Sequence, residues 1–348
     1  MPKPMRVFRS FSIFAIPFSL LLFSAPQAKA VNINITYDSS VSSAPAGFKN
    51  AINYVAQTFD SYFTNPINVN INVGWGEINN GAALKANAVG ESDSNYYNVS
   101  TLYNTTANDL YVTDSATSNS TVAQTAAQHI PATFPSTTNT LYISSADAKA
   151  IGLAANSTAS DGSVGFSSSY NYSFNTTGPT PANTYGFVGL AEHEISEILG
   201  RTAMLSLSSG AIANTPVDLF RYTAPGALDL SSPSSANYFS VDGGATSINT
   251  FNTISGADYG DWAGATADAF NAYIGAPGVT EPFTTADLSV LNAIGWQTSN
   301  ATYTTVAALS AASTGVPAPL STALLAIGLA GCALGASRKF RRLSPSPA

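Results

Sequence analysis

An α+β domain built on a mixed sheet is expected for residues 31–298, and three observations predict it. Residues 33–73 read as strand, helix, strand. Short alternating apolar stretches recur at 141–143 and 164–174. An amphipathic helix near residue 190 carries a dense group of acids. The first strand follows from Ile33, Ile35 and Tyr37, which alternate with polar neighbours at the period that turns one face inward. Phe48, Ile52, Val55, Phe59 and Phe63 then recur at three- and four-residue steps, the spacing of a helical face. Pro66 follows the end of that helix, and Ile67, Val69, Ile71 and Val73 alternate with Asn68, Asn70 and Asn72. A unit of this size predicts a right-handed crossover between two parallel strands.

Residues 76–138 are rich in Asn, Ser and Thr, show no clear periodicity, and are expected to include long surface loops. Leu141-Tyr142-Ile143 predicts a short strand, and Ser145 can cap a helix over 146–151. Val164, Phe166, Tyr170, Tyr172 and Phe174 predict a hairpin. After Pro179 and Pro181, a helix begins near Tyr185 and closes at Gly200, where a left-handed residue is often needed. Val188, Ala191, Ile195, Ile198 and Leu199 form its apolar face. Asp242-Gly243-Gly244 reads as a hairpin turn. Thr285 can cap a last helix, with Leu288, Val290, Leu291 and Ile294 inside and Gly295-Trp296 closing it. The Ala/Ser/Thr-rich stretch 299–315 reads as a linker, and no internal repeat is visible.

The two ends carry their own signals. Lys3, Arg6 and Arg9, an apolar stretch from Phe11 to Phe23, and Ala28-Lys29-Ala30 have the order of an export signal, so residues 1–30 are expected to be removed by signal peptidase. At the other end an apolar run from Leu320 to Ala336 is followed by Arg338-Lys339-Phe340-Arg341-Arg342. Its 17 residues are near the lower limit for spanning a bilayer, with the basic cluster on the cytoplasmic side. The expected location is the cell envelope or surface, or the extracellular space, with a membrane helix at the C-terminus. Eight of the 13 basic residues lie in these ends, leaving five against all 20 acidic residues, a charge of about −15 for the domain between them. That excludes nucleic acid as an expected partner, because phosphate binding needs a basic surface. The single cysteine, Cys332, falls in the apolar run, so no disulfide is expected in the domain.

The densest chemical signal is His193-Glu194-Ile195-Ser196-Glu197. Residues four apart share a helical face, so His193 and Glu197 can point at one ion, and Glu194 can reach a water beside it. A run of charge ordinarily reads as solvated surface. Here only 9% of residues are charged and the chain has six glutamates, of which Glu192, Glu194 and Glu197 flank one of its two histidines. That clustering favours a metal site. A catalytic zinc needs three protein ligands and an open position. Asp218, 21 residues after Glu197, is the first candidate for the third ligand; the alternative is that it caps a turn or pairs with Arg201 or Arg221. His129 is the second candidate, against an ordinary surface role. Tyr222 can donate its hydroxyl to an oxyanion, or be a core tyrosine, and Met204 can floor the metal or fill the core.

These residues together resemble a family of exported bacterial zincin-like metallopeptidases of His-Glu-x-x-Glu type. The matching pieces are 31–75, Ala191 to Arg201, Asp218 to Tyr222, and Thr285 to Trp296. Val316-Pro317-Ala318-Pro319, the apolar run and the arginines resemble a PEP-CTERM sorting tail over 316–342, with Ala318 where that motif carries Glu. The resemblance implies a zincin-like domain over 31–298, a catalytic zinc, a polypeptide substrate, and an exosortase-type enzyme acting on the tail. Gly200 matches the glycine of the metzincin branch, but Ala203 stands where that branch has its third ligand, so a metzincin site is excluded.

The expected chemistry is therefore metal-assisted hydrolysis with Glu194 as general base. Carboxylate ligands acidify water less than histidines and suit harder ions, so manganese is admitted beside zinc and activity is expected to be weak or shifted to alkaline pH. Two rival readings stand. One is a catalytically silent surface or matrix protein on the same scaffold. The other is a structural calcium module using Asp258, Asp261 and Asp242, although their spacing matches no calcium loop.

Overall fold

The computed structural model describes residues 31–103, 119–205, 212–231, 236–254, 257–264, 266–298 and 300–313. β1 (Asn32–Tyr37) and β2 (Asn68–Trp75) run parallel, Ile33 beside Val69 and Ile35 beside Ile71, with α1 (Phe48–Tyr62) between them in sequence. The alternation read from sequence sorts the two faces. Apolar residues of β2 turn inward, while Asn32 donates to Asn68 and Asn34 to Asn70, each at 3.1 Å, as an outer ladder. α1 buries Phe48, Ile52, Val55 and Phe59.

The stretch 76–138, expected to include long loops, also contains β3 (Gly90–Ser94), β4 (Tyr96–Asn98) and α2 (Thr121–His129). β4 pairs antiparallel with β5 (Thr140–Ser144). Ser144, one residue before the expected cap, accepts from Asp147 N at 3.1 Å and starts α3 (Ser145–Ala150). β6 (Gly162–Phe166) is buried along its whole length and lies between β2, to which it is parallel, and β3, to which it is antiparallel. The expected hairpin over 164–174 is thus not formed. A strand buried on both faces is spent in the centre of a sheet, and β7 (Tyr172–Ser173) pairs instead with β8 (Tyr185–Gly186).

α4 (Phe187–Ile198) follows β8 directly. Phe187 anchors its start, with ring centroids 5.2 Å from Phe48, 4.8 Å from Phe166 and 4.8 Å from Phe174. Burying an aromatic side chain fully is worth about 1.5–3 kcal/mol, so this cluster fixes α4 across α1 and the first sheet. Leu199 caps the helix and Gly200 takes the left-handed conformation at φ 108°.

Beyond α4, β9 (Ala213–Asn214) pairs parallel with β5. β10 (Arg221–Ala224), β11 (Ala227–Leu228), β12 (Tyr238–Phe239) and β13 (Asn249–Thr250) form an antiparallel sheet in the order β11-β10-β12-β13. α5 (Thr285–Ala293) begins at Thr284, with Asp287 closing a capping box. The expected linker is instead α6 (Asn300–Ser313), which packs on α5 through buried Val306 and a 3.2 Å bond from Tyr303 Oη to Asn292 Oδ1.

The expected α+β domain on one mixed sheet, with a membrane helix, is corrected by these observations. The described residues form a mixed α/β arrangement with four sheets, because helices are threaded between parallel strands and many strands are only two to five residues long. Among the described residues no helix is long and apolar enough to cross a membrane. The expected signal at 1–30 and the tail at 316–342 lie outside them.

Candidate metal centre

α4 and the loop before Trp262 meet at the β3 edge of the first sheet. One helical turn brings His193 Nε2 to 3.6 Å from Glu197 Oε1, and Asp261 Oδ1 lies 3.5 Å from the same nitrogen. All three ligand atoms fall within 4.8 Å of one another. Ligands on a tetrahedral ion with bonds of about 2.1 Å stand about 3.4 Å apart. His193, Glu197 and Asp261 are a group that could hold a metal ion.

The orientation of each member is enforced by neighbours. His193 Nδ1 donates to the Ala269 carbonyl at 2.9 Å, which turns Nε2 toward the carboxylates, as in ligating imidazoles. Ser92 Oγ of β3 donates to Glu197 Oε2 at 2.5 Å. Arg201 is fully buried and joins the two acids, with Nη1 at 2.5 Å from Asp261 Oδ1 and Nη2 at 3.5 Å from Glu197 Oε1. Its guanidinium also receives Ser196 Oγ at 2.8 Å as an acceptor for Nε, and lies 4.2 Å from the Phe270 ring centroid. The 260 loop reaches this position because Gly260 has no side chain: a Cβ there would meet Ala203 N at 2.9 Å.

Charge shapes the site strongly. Burial works against the charged form of His193, but Asp261 and Glu197 outweigh it and push the imidazole up to about 10. Burial likewise opposes ionised Glu197, yet His193, Arg201 and Ser92 hold it down at about 2. For Glu194, burial together with the Glu197 charge outweighs the pull of His193 and Arg201 and raises it well above the usual carboxylate range. Burial also raises Asp261 above its ordinary range, against the pull of His193 and Arg201, so Glu197 is the firmer seat for positive charge.

The centre opens into a cleft of about 540 Å³ whose walls include Lys85, Gly90, Ser92, Glu194, Asp258 and Tyr273. Glu194 is buried beside the group, as expected of its position on the helix. Asp218 is not brought to it. Asp218 accepts from Thr215 N at 2.8 Å and pairs with Arg221 at 3.1 Å, the cap-and-partner alternative. Arg221 Nη2 in turn donates to the Tyr259 carbonyl at 2.8 Å, so Asp218 acts on the loop that carries Asp261 rather than on an ion. Tyr222 lies on β10 near Asp242 and Tyr238 and does not line the cleft. His129 ends α2 with Nδ1 2.9 Å from the Thr125 carbonyl, and Met204 also lies outside the cleft. Asp242 accepts from Ser240 Oγ and Thr246 N within its own turn, so it does not join Asp258 and Asp261 in a calcium site.

Asp261 and Ser92 are the residues that sequence reasoning missed at this site. Asp261 stands in the Asp258-Tyr259-Gly260-Asp261 segment, whose local pattern reads as turn or calcium chemistry. No family model matches this chain, and no curated protein or solved structure is significantly similar to it.

Proposed function

We propose that this protein is an exported metal-dependent hydrolase that cleaves peptide bonds, with zinc as the first expected ion and manganese admitted by the oxygen-rich ligand set. The observation that carries the reading is the ligand spacing of His193, Glu197 and Asp261 with Glu194 beside them in one cleft. When bound, the ion supplies Lewis acidity that polarises a carbonyl and makes water a better nucleophile. Glu194 takes the proton released in attack and returns it to the leaving nitrogen. Arg201 keeps Glu197 and Asp261 apart from solvent and at their observed separation. A polypeptide suits the cleft because β3 is the outermost strand of its sheet and Gly90 to Ser92 line the opening, so backbone groups are available to an extended chain. The likeness of His193 to Glu197 to the His-Glu-x-x-Glu peptidases points the same way.

Glu194→Gln is expected to lower peptidase turnover by about 10²–10⁴-fold while metal content is unchanged. Casein or another unfolded protein serves as substrate, with elemental analysis alongside. A wild-type protein that holds metal and cleaves nothing would favour the silent surface protein.

Gly90→Ala gives a second test of the same residue. A Cβ on Gly90 would collide with the Glu194 side chain from Cγ to the carboxylate. The carboxylate is expected to swing aside, so turnover falls at least ~10-fold with little change in melting temperature. Adding Glu194→Asp, one methylene shorter, is expected to restore part of the loss; unaltered turnover in Gly90→Ala would count against the placement of Glu194.

A further inference from the structure

A second cavity, of about 370 Å³, lies against a different stripe of α4, the one carrying Val188 and Glu192. Tyr54 and Tyr62 of α1 form one wall, and Glu281 and Phe283 form another. The Tyr62 and Phe283 rings stand 5.6 Å apart. Its volume is in the range of small-molecule sites.

Glu192 is only 6% exposed and, among the described residues, its carboxylate has no hydrogen-bond or ion-pair partner. Buried carboxylates ordinarily have one, because desolvation without a partner is costly. Among the described residues, no Lys or Arg pairs with it. Lys149 pairs with Asp161, Arg201 with Glu197 and Asp261, and Arg221 with Asp218. Lys49 lies over the Tyr37 ring and Lys85 borders the metal cleft. An inorganic ion is disfavoured too: Glu192 and Glu281 belong to no group of ligands close enough to share one, among the described residues. What remains is one buried carboxyl group without a counter-charge, at the wall of an aromatic cavity, a setting that recognises a cation with an organic stem.

We propose that this cavity binds a guanidinium or primary ammonium carried on a short alkyl stem, with the charge on Glu192 and the stem against Tyr54, Tyr62 and Phe283. The site is independent of the metal centre, although Glu281 borders both cavities. A free amine and a Lys or Arg side chain of a peptide share this chemistry, and the test separates them.

The experiment is calorimetric titration of the full chain, stripped of metal, at pH 9, above the usual carboxylate range. Butylguanidinium and the tripeptide Gly-Arg-Gly are the probes, and butylurea is the neutral isostere. Butylguanidinium is expected to bind at least ~10-fold more tightly than butylurea, and Glu192→Gln to abolish that preference. Binding of Gly-Arg-Gly as well assigns the site to peptide side chains; its exclusion assigns it to free amines. Val188→Phe, placed at the half-buried rim, is expected to weaken binding even if Glu192→Gln does not fold. Glu194→Gln is expected to bind normally, so failure of the peptidase reading leaves this result untouched. Equal affinity for butylurea, no binding of butylguanidinium, or undiminished binding by both cavity variants overturns the proposal.

Discussion

Protein carrying Asp261→Ala is expected to lose its divalent ion on purification, with affinity reduced at least ~100-fold, whereas Asp218→Asn is expected to keep it. Removing one of three ligands costs more than removing an outer hydrogen bond, which alone lowers affinity by about 10–100-fold. Asp261 contributes Oδ1 to the group around His193 Nε2, and Asp218 contributes nothing to it. Asp218→Asn should show a different defect. It leaves Arg221, fully buried over the Phe251 ring at 3.9 Å, without its counter-charge. Breaking one side of a buried ion pair costs about 3–5 kcal/mol. The two variants therefore separate a ligand from a scaffold. Elemental analysis and a melting curve on each decide it, and metal retained by Asp261→Ala but lost from Asp218→Asn would reverse the assignment.

Arg201→Met is expected to be among the most damaging single substitutions in the metal-free protein, at about 3–5 kcal/mol. The guanidinium is the positive partner of both Glu197 and Asp261, and all three side chains are buried. Without it two carboxylates face each other in a dry setting with only His193 to answer them. Methionine matches much of the packing against Phe270, so the loss reports charge more than volume. A saturating divalent ion places positive charge between the same carboxylates and should recover a large part of the stability, by mass action and by Coulomb attraction. Denaturant unfolding with and without zinc measures this. A deficit that is the same in both conditions would show that Arg201 serves packing alone.

The glycines at 90 and 260 explain why such a site is hard to recognise in sequence. Each matters through an atom that its missing Cβ would strike: the Glu194 carboxylate at Gly90, the Thr202–Ala203 backbone at Gly260. Such a constraint is a property of two segments far apart in the chain, and no local pattern records it. β3 poses the same difficulty. Gly-Glu-Ser-Asp-Ser has neither branched apolar residues nor alternation, so it reads as loop, yet pairing with buried β6 makes it the strand beside α4.

The sequence by itself determined the parts governed by short-range periodicity. The parallel pair β1 and β2, the amphipathic α1 and the placing of His193, Glu194 and Glu197 on one helix all follow from spacings of two, three and four residues. Tertiary structure alone decided which acid completes the group. Asp218 and Asp261 are both aspartates downstream of Glu197; Thr215-Pro216-Val217-Asp218 carries a local capping pattern, but nothing local marks Asp261 for the group. Their fates were set by which buried arginine each one meets: Arg221 holds Asp218 in its own turn, and Arg201 draws Asp261 to the face of α4. Long-range charge compensation by buried arginines, rather than motif spacing, fixes the third member of the candidate group.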